Sequence, residues 1–399
     1  NGISYVVTTA DRSAKIRLQL DMSGAKANSN ELTVTSVELD KDAGLTQFGN
    51  IAGDAKWFGG VLGPNGLIYG IPFDASQVLE IDPFHRTATT FGSALNGVWA
   101  GGALLQSNGK IFCAPFTGTK ILEINPNTKT TKTFSITGPN ITTTNNWMGV
   151  VASTNPTILG EIYCIPYNYT KVLQINGKKS TAEVFGNLPS GDGKWSGAVT
   201  APDGKIYAVP LNYSKVLEID PSRVSSSIYY PTLSTFGNAG TGSYKWSGGV
   251  LAPNGKIYCI PFSSRTVLEI DTTSKDPQGF PTLSTFGDLG VNTYKWSGGF
   301  LAPNGKIYGF PFNSSIVLEI DPDAKTARTF GKLSGYDKWR GGVLAVEGTA
   351  YGVPYSSPTV LEMDFGSPAA TGAYGLENWP LSGLPHNILE PRSLYFNKF

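Results

Sequence analysis

Catalysis needs reactive side chains gathered at workable spacing, and this chain offers few of them. Its two histidines stand apart: His85 in a turn, His386 near the C-terminal end, neither beside a cysteine or an acidic cluster at ligand spacing. A zinc centre or a Ser-His-Asp relay therefore has no suitably placed imidazole. The three cysteines, Cys113, Cys164 and Cys259, fill one recurring slot that elsewhere holds Gly70, Ala208, Gly309 and Gly352. A slot that accepts only small residues marks them as buried packing groups, and equivalent slots on different repeats do not suit a disulfide. Glutamates recur as Glu80, Glu123, Glu218, Glu269, Glu319 and Glu362, with Gln174 in the remaining copy. Paired carboxylates could do acid–base work, but one per repeat, mid-strand, reads as a structural device, paired or at an exposed edge. The expectation is a protein without catalytic residues, metal or cofactor.

Binding chemistry is better represented. Trp57, Trp99, Trp147, Trp195, Trp246, Trp296 and Trp339 recur at intervals of 42 to 51 residues, and Lys56, Lys194, Lys245, Lys295 and Lys338 precede five of them. A second loop in each copy follows a recurring proline and carries an aromatic, except for Leu211, and then a polar residue, as in Phe312-Asn313 and Tyr167-Asn168. Aromatic faces beside amides and hydroxyls suit sugar recognition, the ring stacking on C–H groups while the polar atoms hydrogen-bond. The candidate ligand-binding residues are Trp57, Trp195, Trp246, Trp296, Trp339, Asn168, Asn212 and Asn313. The competing reading makes the indoles gap-fillers between repeats. Asn140, Asn168, Asn212 and Asn313 also begin glycosylation sequons, relevant only in a eukaryotic secretory pathway.

The elements that carry these residues form one repeated unit, seen at its clearest in Lys295–Asp321. Gly298–Ala302 is a short apolar run. Pro303-Asn304-Gly305 is a hairpin signal, expected to place both Asn and Gly at positive φ. Lys306–Phe312 and Ile316–Asp321 are further strands, and Thr329-Phe330-Gly331 marks a fourth. Four antiparallel strands at this period predict an all-β, seven-bladed β-propeller spanning 44–365. The outer-strand Phe-Gly signal follows six blades and is missing after Asp364. A seventh copy, Phe48-Gly49, precedes the first tryptophan, so Leu45–Gly49 is expected to complete the last blade and close the ring. Strand direction places the tryptophan loops and the Pro-aromatic-polar loops on one face, and the Asn-Gly hairpins and Asp-Pro turns on the other.

Residues 1–43 do not follow the repeat. Ser4–Thr8, the alternation Ile16, Leu18, Leu20 and Met22, and Leu32–Leu39 predict strands of a small sheet or an assembly arm. Residues 366–399 are irregular but rich in Trp379, Leu384, Ile388 and Phe396, the composition of a docking tail, whether onto its own propeller or onto another subunit. Charged residues are 15% of 399 and the net charge is +1, which does not favour nucleic acid as a partner. There is no apolar run long enough for a membrane-spanning helix.

The units KWFGGVLGPNGLIYGIPF, KWSGGVLAPNGKIYCIPF and KWSGGFLAPNGKIYGFPF resemble tandem propeller repeats of large surface, tail-fibre-like and algal proteins. A looser similarity links Pro-Asn-Gly-Lys-Ile-Tyr and Leu-Glu-Ile-Asp-Pro to the streptogramin-lyase and gluconolactonase-like propellers, which implies, as the alternative, a metal-assisted lyase or lactonase. The leading expectation is a non-enzymatic propeller on an extracellular, cell or virion surface. It would act in adhesion, glycan recognition or assembly, taking a glycan or cell-surface ligand, with oligomeric or other assembly contacts through 1–43 and 366–399.

Overall fold

The computed structural model describes residues 44–365 apart from 139–140, 142–143, 154–160, 225–229 and 347, together with the backbone of three earlier strands. Those strands, Ile3–Thr8, Lys15–Leu20 and Val34–Asp40, pair antiparallel in chain order as a sheet of their own. The expected tail 366–399, with His386, and the sequon at Asn140 lie outside the described residues.

Seven four-stranded antiparallel sheets follow. The sixth is representative, with strands Trp296–Leu301, Ile307–Pro311, Val317–Asp321 and Thr326–Phe330. The second strand is buried along its whole length because neighbouring blades cover both of its faces, which is why it reads as unbroken apolar sequence rather than as an alternation. The outermost strand is threonine-rich and half exposed. Cys113, Cys164 and Cys259 are fully buried in the second strands of their blades, as free thiols. At the equivalent Gly70 an added Cβ would already lie 3.0 Å from Leu79, so the slot limits side-chain size.

The Asn-Gly hairpins differ from the expectation. Gly305 takes φ +80°, but Asn304 is not left-handed, and the Gly305 N–H donates to Ala302 at 3.0 Å. Proline at the second turn position fixes a right-handed first corner, so the turn needs only one left-handed residue. Asn304 has another use: its Oδ1 accepts from Lys306 N at 3.0 Å while its Nδ2 donates to the Tyr308 hydroxyl at 2.9 Å.

The recurring glutamates serve the walls. Glu319 pairs with Lys306 at 2.8 Å and Arg328 at 2.7 Å, and Glu123 with Lys110 at 2.7 Å and Lys132 at 3.2 Å. The two longest inserts extend the third strands to Val216–Val224 and Val267–Lys275. They also supply Tyr230 and Phe280, which stack on Phe185 and Phe236, each in the fourth strand of the preceding blade.

Closure occurs where the sequence placed it. Leu45–Phe48 pairs antiparallel with Val360–Asp364, with Phe48 opposite Val360 and Thr46 opposite Glu362. Thr46 Oγ1 donates to Glu362 at 2.7 Å, and Arg86 of the first blade reaches the same carboxylate at 2.9 Å. Around the axis Gly59, Gly101, Gly149, Gly197, Gly248, Gly298 and Gly341 form an unbroken collar. Each has a positive φ, and a Cβ on any one would point at the Cα of the next, with Gly341 leading back to Gly59.

Candidate binding site at the axial mouth

The register pairs each tryptophan with the proline of the second strand, as Trp57 with Pro72 and Trp296 with Pro311, so both loop sets lie on one face. The indoles themselves are inside. All seven are at most 3% exposed, and each Nε1–H donates to a backbone carbonyl of its own blade at 2.7–2.9 Å. Trp296, for example, packs against Tyr258 and Ile260 of the fifth blade and Ile307 and Leu318 of the sixth. Trp57, Trp195, Trp246, Trp296 and Trp339 are therefore wall residues, because flanking blades cover their rings before a ligand could.

The preceding lysines are also buried. Lys338 Nζ donates to the carbonyls of Phe312, Ser314 and Gly335 at 2.8–2.9 Å, and Lys245 to those of Leu211, Tyr213 and Gly242 at 2.9–3.1 Å. Burial lowers Lys194, Lys245, Lys295 and Lys338 to about 8.

Asn168, Asn212 and Asn313 act as clips between blades. Asn168 Oδ1 accepts from Gly193 N at 2.7 Å, Asn212 Oδ1 from Tyr244 N at 2.6 Å, and Asn313 Oδ1 from Asp337 N at 2.7 Å. Each donor lies two residues before the next blade's tryptophan and is left-handed, with φ of +58°, +52° and +49°. That conformation turns the N–H toward the neighbouring loop. The three amides share the face but do not converge on one point.

What converges on the axis is the next layer inward. The residue after each tryptophan sits in a β-bulge that ends at a collar glycine. These residues are Phe58, Ala100, Met148, Ser196, Ser247, Ser297 and Arg340. Above them the residues after the prolines close a second ring. Phe73, Phe116 and Tyr167 run at centroid spacings of 5.5 Å, Leu211 bridges to Phe262, and Phe312 and Tyr355 lead back to Phe73 at 5.7–5.8 Å. A cavity of about 260 Å³ opens here, floored by Ser196, Ser247 and Arg340 and rimmed by Tyr244, Tyr294 and Asp337. Ser247 Oγ lies 3.3 Å from Ser196 Oγ and 3.4 Å from Ser297 Oγ, a line of buried hydroxyls on one side of the axis.

Arg340 occupies the other side. Its guanidinium carbon is 4.1 Å from the Phe58 ring centroid, 5.2 Å from that of Tyr355 and 5.3 Å from that of Phe312. Its Nε is closed off from solvent and has no hydrogen-bond partner among the described residues. Burial lowers the guanidinium's pKa, with Tyr355 acting the other way, yet arginine stays charged in proteins. Neither Arg340 nor the tyrosine rim was singled out from the sequence. The available signal was a broken repeat: Trp-Arg-Gly-Gly at 339–342 carries the one charged residue among the seven positions that follow a tryptophan.

Reactive groups are elsewhere. His85 pairs with Asp82 at 2.7 Å in an exposed turn of the opposite face. Burial pushes the Cys113, Cys164 and Cys259 thiols well above their ordinary value. Among the described residues no group of three or more His, Cys, Asp and Glu gathers at metal-binding distance, and no helix is long and apolar enough to cross a membrane.

No protein-family model and no curated protein matches this sequence. Solved structures do match in shape. A virginiamycin B lyase from Staphylococcus aureus, crystallised as a catalytically inactive histidine-to-alanine variant with quinupristin, aligns with a TM-score of 0.64 at 12% identity, over 80% of this chain and 99% of that one. The extracellular domain of a hybrid two-component system from Bacteroides thetaiotaomicron aligns with a TM-score of 0.60 at 10% identity, over 93% of this chain and 60% of that one. At such identities the likeness shows the propeller fold, which both enzymes and non-enzymes use.

Proposed function

We propose that this chain is a non-enzymatic binding propeller of an extracellular surface, whose ligand seats in the axial mouth of the tryptophan face. The observation that carries the reading is the floor and rim of that mouth: hydroxyls, a guanidinium and aromatic edges converge on one cavity, whereas no nucleophile–base pair does. The cavity is smaller than the roughly 300–1,000 Å³ of drug-sized sites, so it suits one ring or chain end of a larger ligand such as a glycan. The extracellular location is supported by the Bacteroides neighbours, which are extracellular domains.

The test is glycan-array binding followed by titration of the best ligand. Tyr294→Ala at the rim and Phe312→Ala in the aromatic ring above the axis are expected to weaken binding at least tenfold, as losing an aromatic platform of about 1.4 kcal/mol would. Phe84→Ala on the opposite face is expected to leave it unchanged. Mouth variants that bind like the parent, or an array without any binder, would overturn the reading.

A lyase acting at the same mouth is the second reading, favoured by the near-complete alignment on the streptogramin lyase structures. Divalent-metal-dependent turnover of a lactone or streptogramin, lost in a mouth variant, would replace binding with catalysis.

A further inference from the structure

The charge at the mouth has the Tyr355 hydroxyl as its hydrogen-bonding neighbour, with Asp337 acting on it from farther away. Among the described residues no carboxylate lies within ion-pair distance of Arg340, while the other basic groups near this face, the lysines before the tryptophans, turn their ammonium groups into backbone carbonyls. The Phe58, Phe312 and Tyr355 rings pack around the guanidinium, which leaves the donors that Tyr355 does not take as its hydrogen-bonding surface. Nε is one of these donors, shielded from solvent and unsatisfied. A buried charged donor without an acceptor costs more than an ordinary unmade hydrogen bond, so its retention points to an acceptor brought by a ligand.

Resting on the reading that the mouth binds, we propose that Arg340 anchors a carboxylate, and that the ligand is an acidic sugar whose ring lies across the cavity toward Ser247 and Tyr294. The choice of anion follows from charge and shape. Nε–H together with one Nη–H matches the two oxygens of a planar carboxylate side-on. Arg340 is the one cation lining the cavity, and Asp337 lines it too, so a doubly charged phosphate meets too little positive charge and an opposing negative one. Across the cavity the serine hydroxyls and the Asp337 carboxylate offer acceptors for hydroxyl groups, and the tyrosine and phenylalanine edges offer apolar surface for ring C–H groups.

The experiment titrates the full chain with sodium glucuronate, glucose and inorganic phosphate at matched ionic strength, using ligand-observed NMR for the weak binders. Glucuronate is expected to bind at least tenfold more tightly than either glucose or phosphate. Arg340→Met is expected to abolish that preference, and Arg340→Lys, which keeps the charge but not the fork, to lose most of it. Methionine fills the same apolar cup without a charge to satisfy, so a folded variant is expected, checked by its thermal transition. Should it fail to fold, the glucuronate-to-glucose ratio of the parent decides alone. Equal affinity for glucuronate and glucose, tighter binding of phosphate, no detectable glucuronate binding, or a preference that survives in Arg340→Met would each overturn the proposal. Neutral-glycan binding that Tyr294→Ala abolishes and Arg340→Met leaves intact would overturn the carboxylate anchor while sparing the binding mouth.

Discussion

Single residues here are tuned by burial, and the tuning has opposite signs for acids and bases. For Asp271 burial alone would raise the carboxyl, but hydrogen bonds from Thr273 and Lys256 bring it down to about 2 from 3.8. For Glu123, Glu269 and Glu319 burial is likewise outweighed by their basic partners, and the net direction is down. These groups add stability above their unfolded values and lose it as pH falls through the folded ones. The four buried lysines are lowered too, but by burial itself rather than against it. Their folded value of about 8 lies below the ordinary 10.5, so between the two the unfolded chain holds more protons and raising pH favours the folded state. Above about 10 the tyrosines reverse the trend, since Tyr69 and Tyr258 rise to about 12 on burial while the unfolded chain ionises at its usual value. The urea midpoint is therefore expected to fall below pH 4, hold through neutrality, and climb from pH 8 to 10. A midpoint that declines steadily from pH 8 to 10 would contradict the assignment of buried ammonium groups.

At the scale of elements, the inner strands are set by how closely seven backbones can approach an axis. The collar glycines are needed twice over, for a left-handed bulge and for lack of a Cβ. At Gly149 an added Cβ would stand 2.5 Å from the Gly197 Cα, against backbone that cannot swing aside. Gly149→Ala is expected to cost roughly 2–4 kcal/mol, combining left-handed strain with overpacking. Gly118→Ala is the matched control. It has φ +104° but open space around its Cβ, so about 1–2 kcal/mol of backbone strain is expected there. Equal losses in chemical denaturation would show that conformation, not contact, sets the collar. The asparagine clips work at the same scale: Asn168, Asn212 and Asn313 tie each second-strand loop to the next blade.

For the whole molecule the decisive device is the strand borrowed from the N-terminal side. Without Leu45–Phe48, the third strand of the last blade would present an open edge from Val360 to Asp364. Removing residues 1–48 is expected to lower the melting temperature and to give oligomers or aggregates in light scattering, whereas removing 1–43 leaves the closing strand in place and a monomeric ring. A soluble, monomeric 49–399 fragment with the parent's melting temperature would mean that closure contributes little. The ring also explains how one site arises from seven near-equal units. Every blade sends one residue to the axis, so a single departure, Arg340 among apolar and hydroxyl residues, is enough to give the mouth a charged pole.

The amino-acid sequence by itself determined the architecture. Repeated Trp, Pro-Asn-Gly and Val-Leu-Glu-Ile-Asp signals set blade number, strand order and the shared loop face, because period-two strands and tight turns are local properties of a few adjacent residues. The displaced Phe48-Gly49 announced closure for the same reason. Only the tertiary structure decided which of the conspicuous residues meet the solvent. The tryptophans drew attention as aromatic platforms, yet neighbouring blades cover them, a fact of packing that no spacing within one blade contains. Asn304 looked left-handed from its Asn-Gly context, but the preceding proline and the Tyr308 hydroxyl hold it otherwise. Arg340 was one unremarked letter in the seventh copy. Its meaning comes from Phe58 in the first blade and Phe312 in the sixth, brought around it by the closing of the ring.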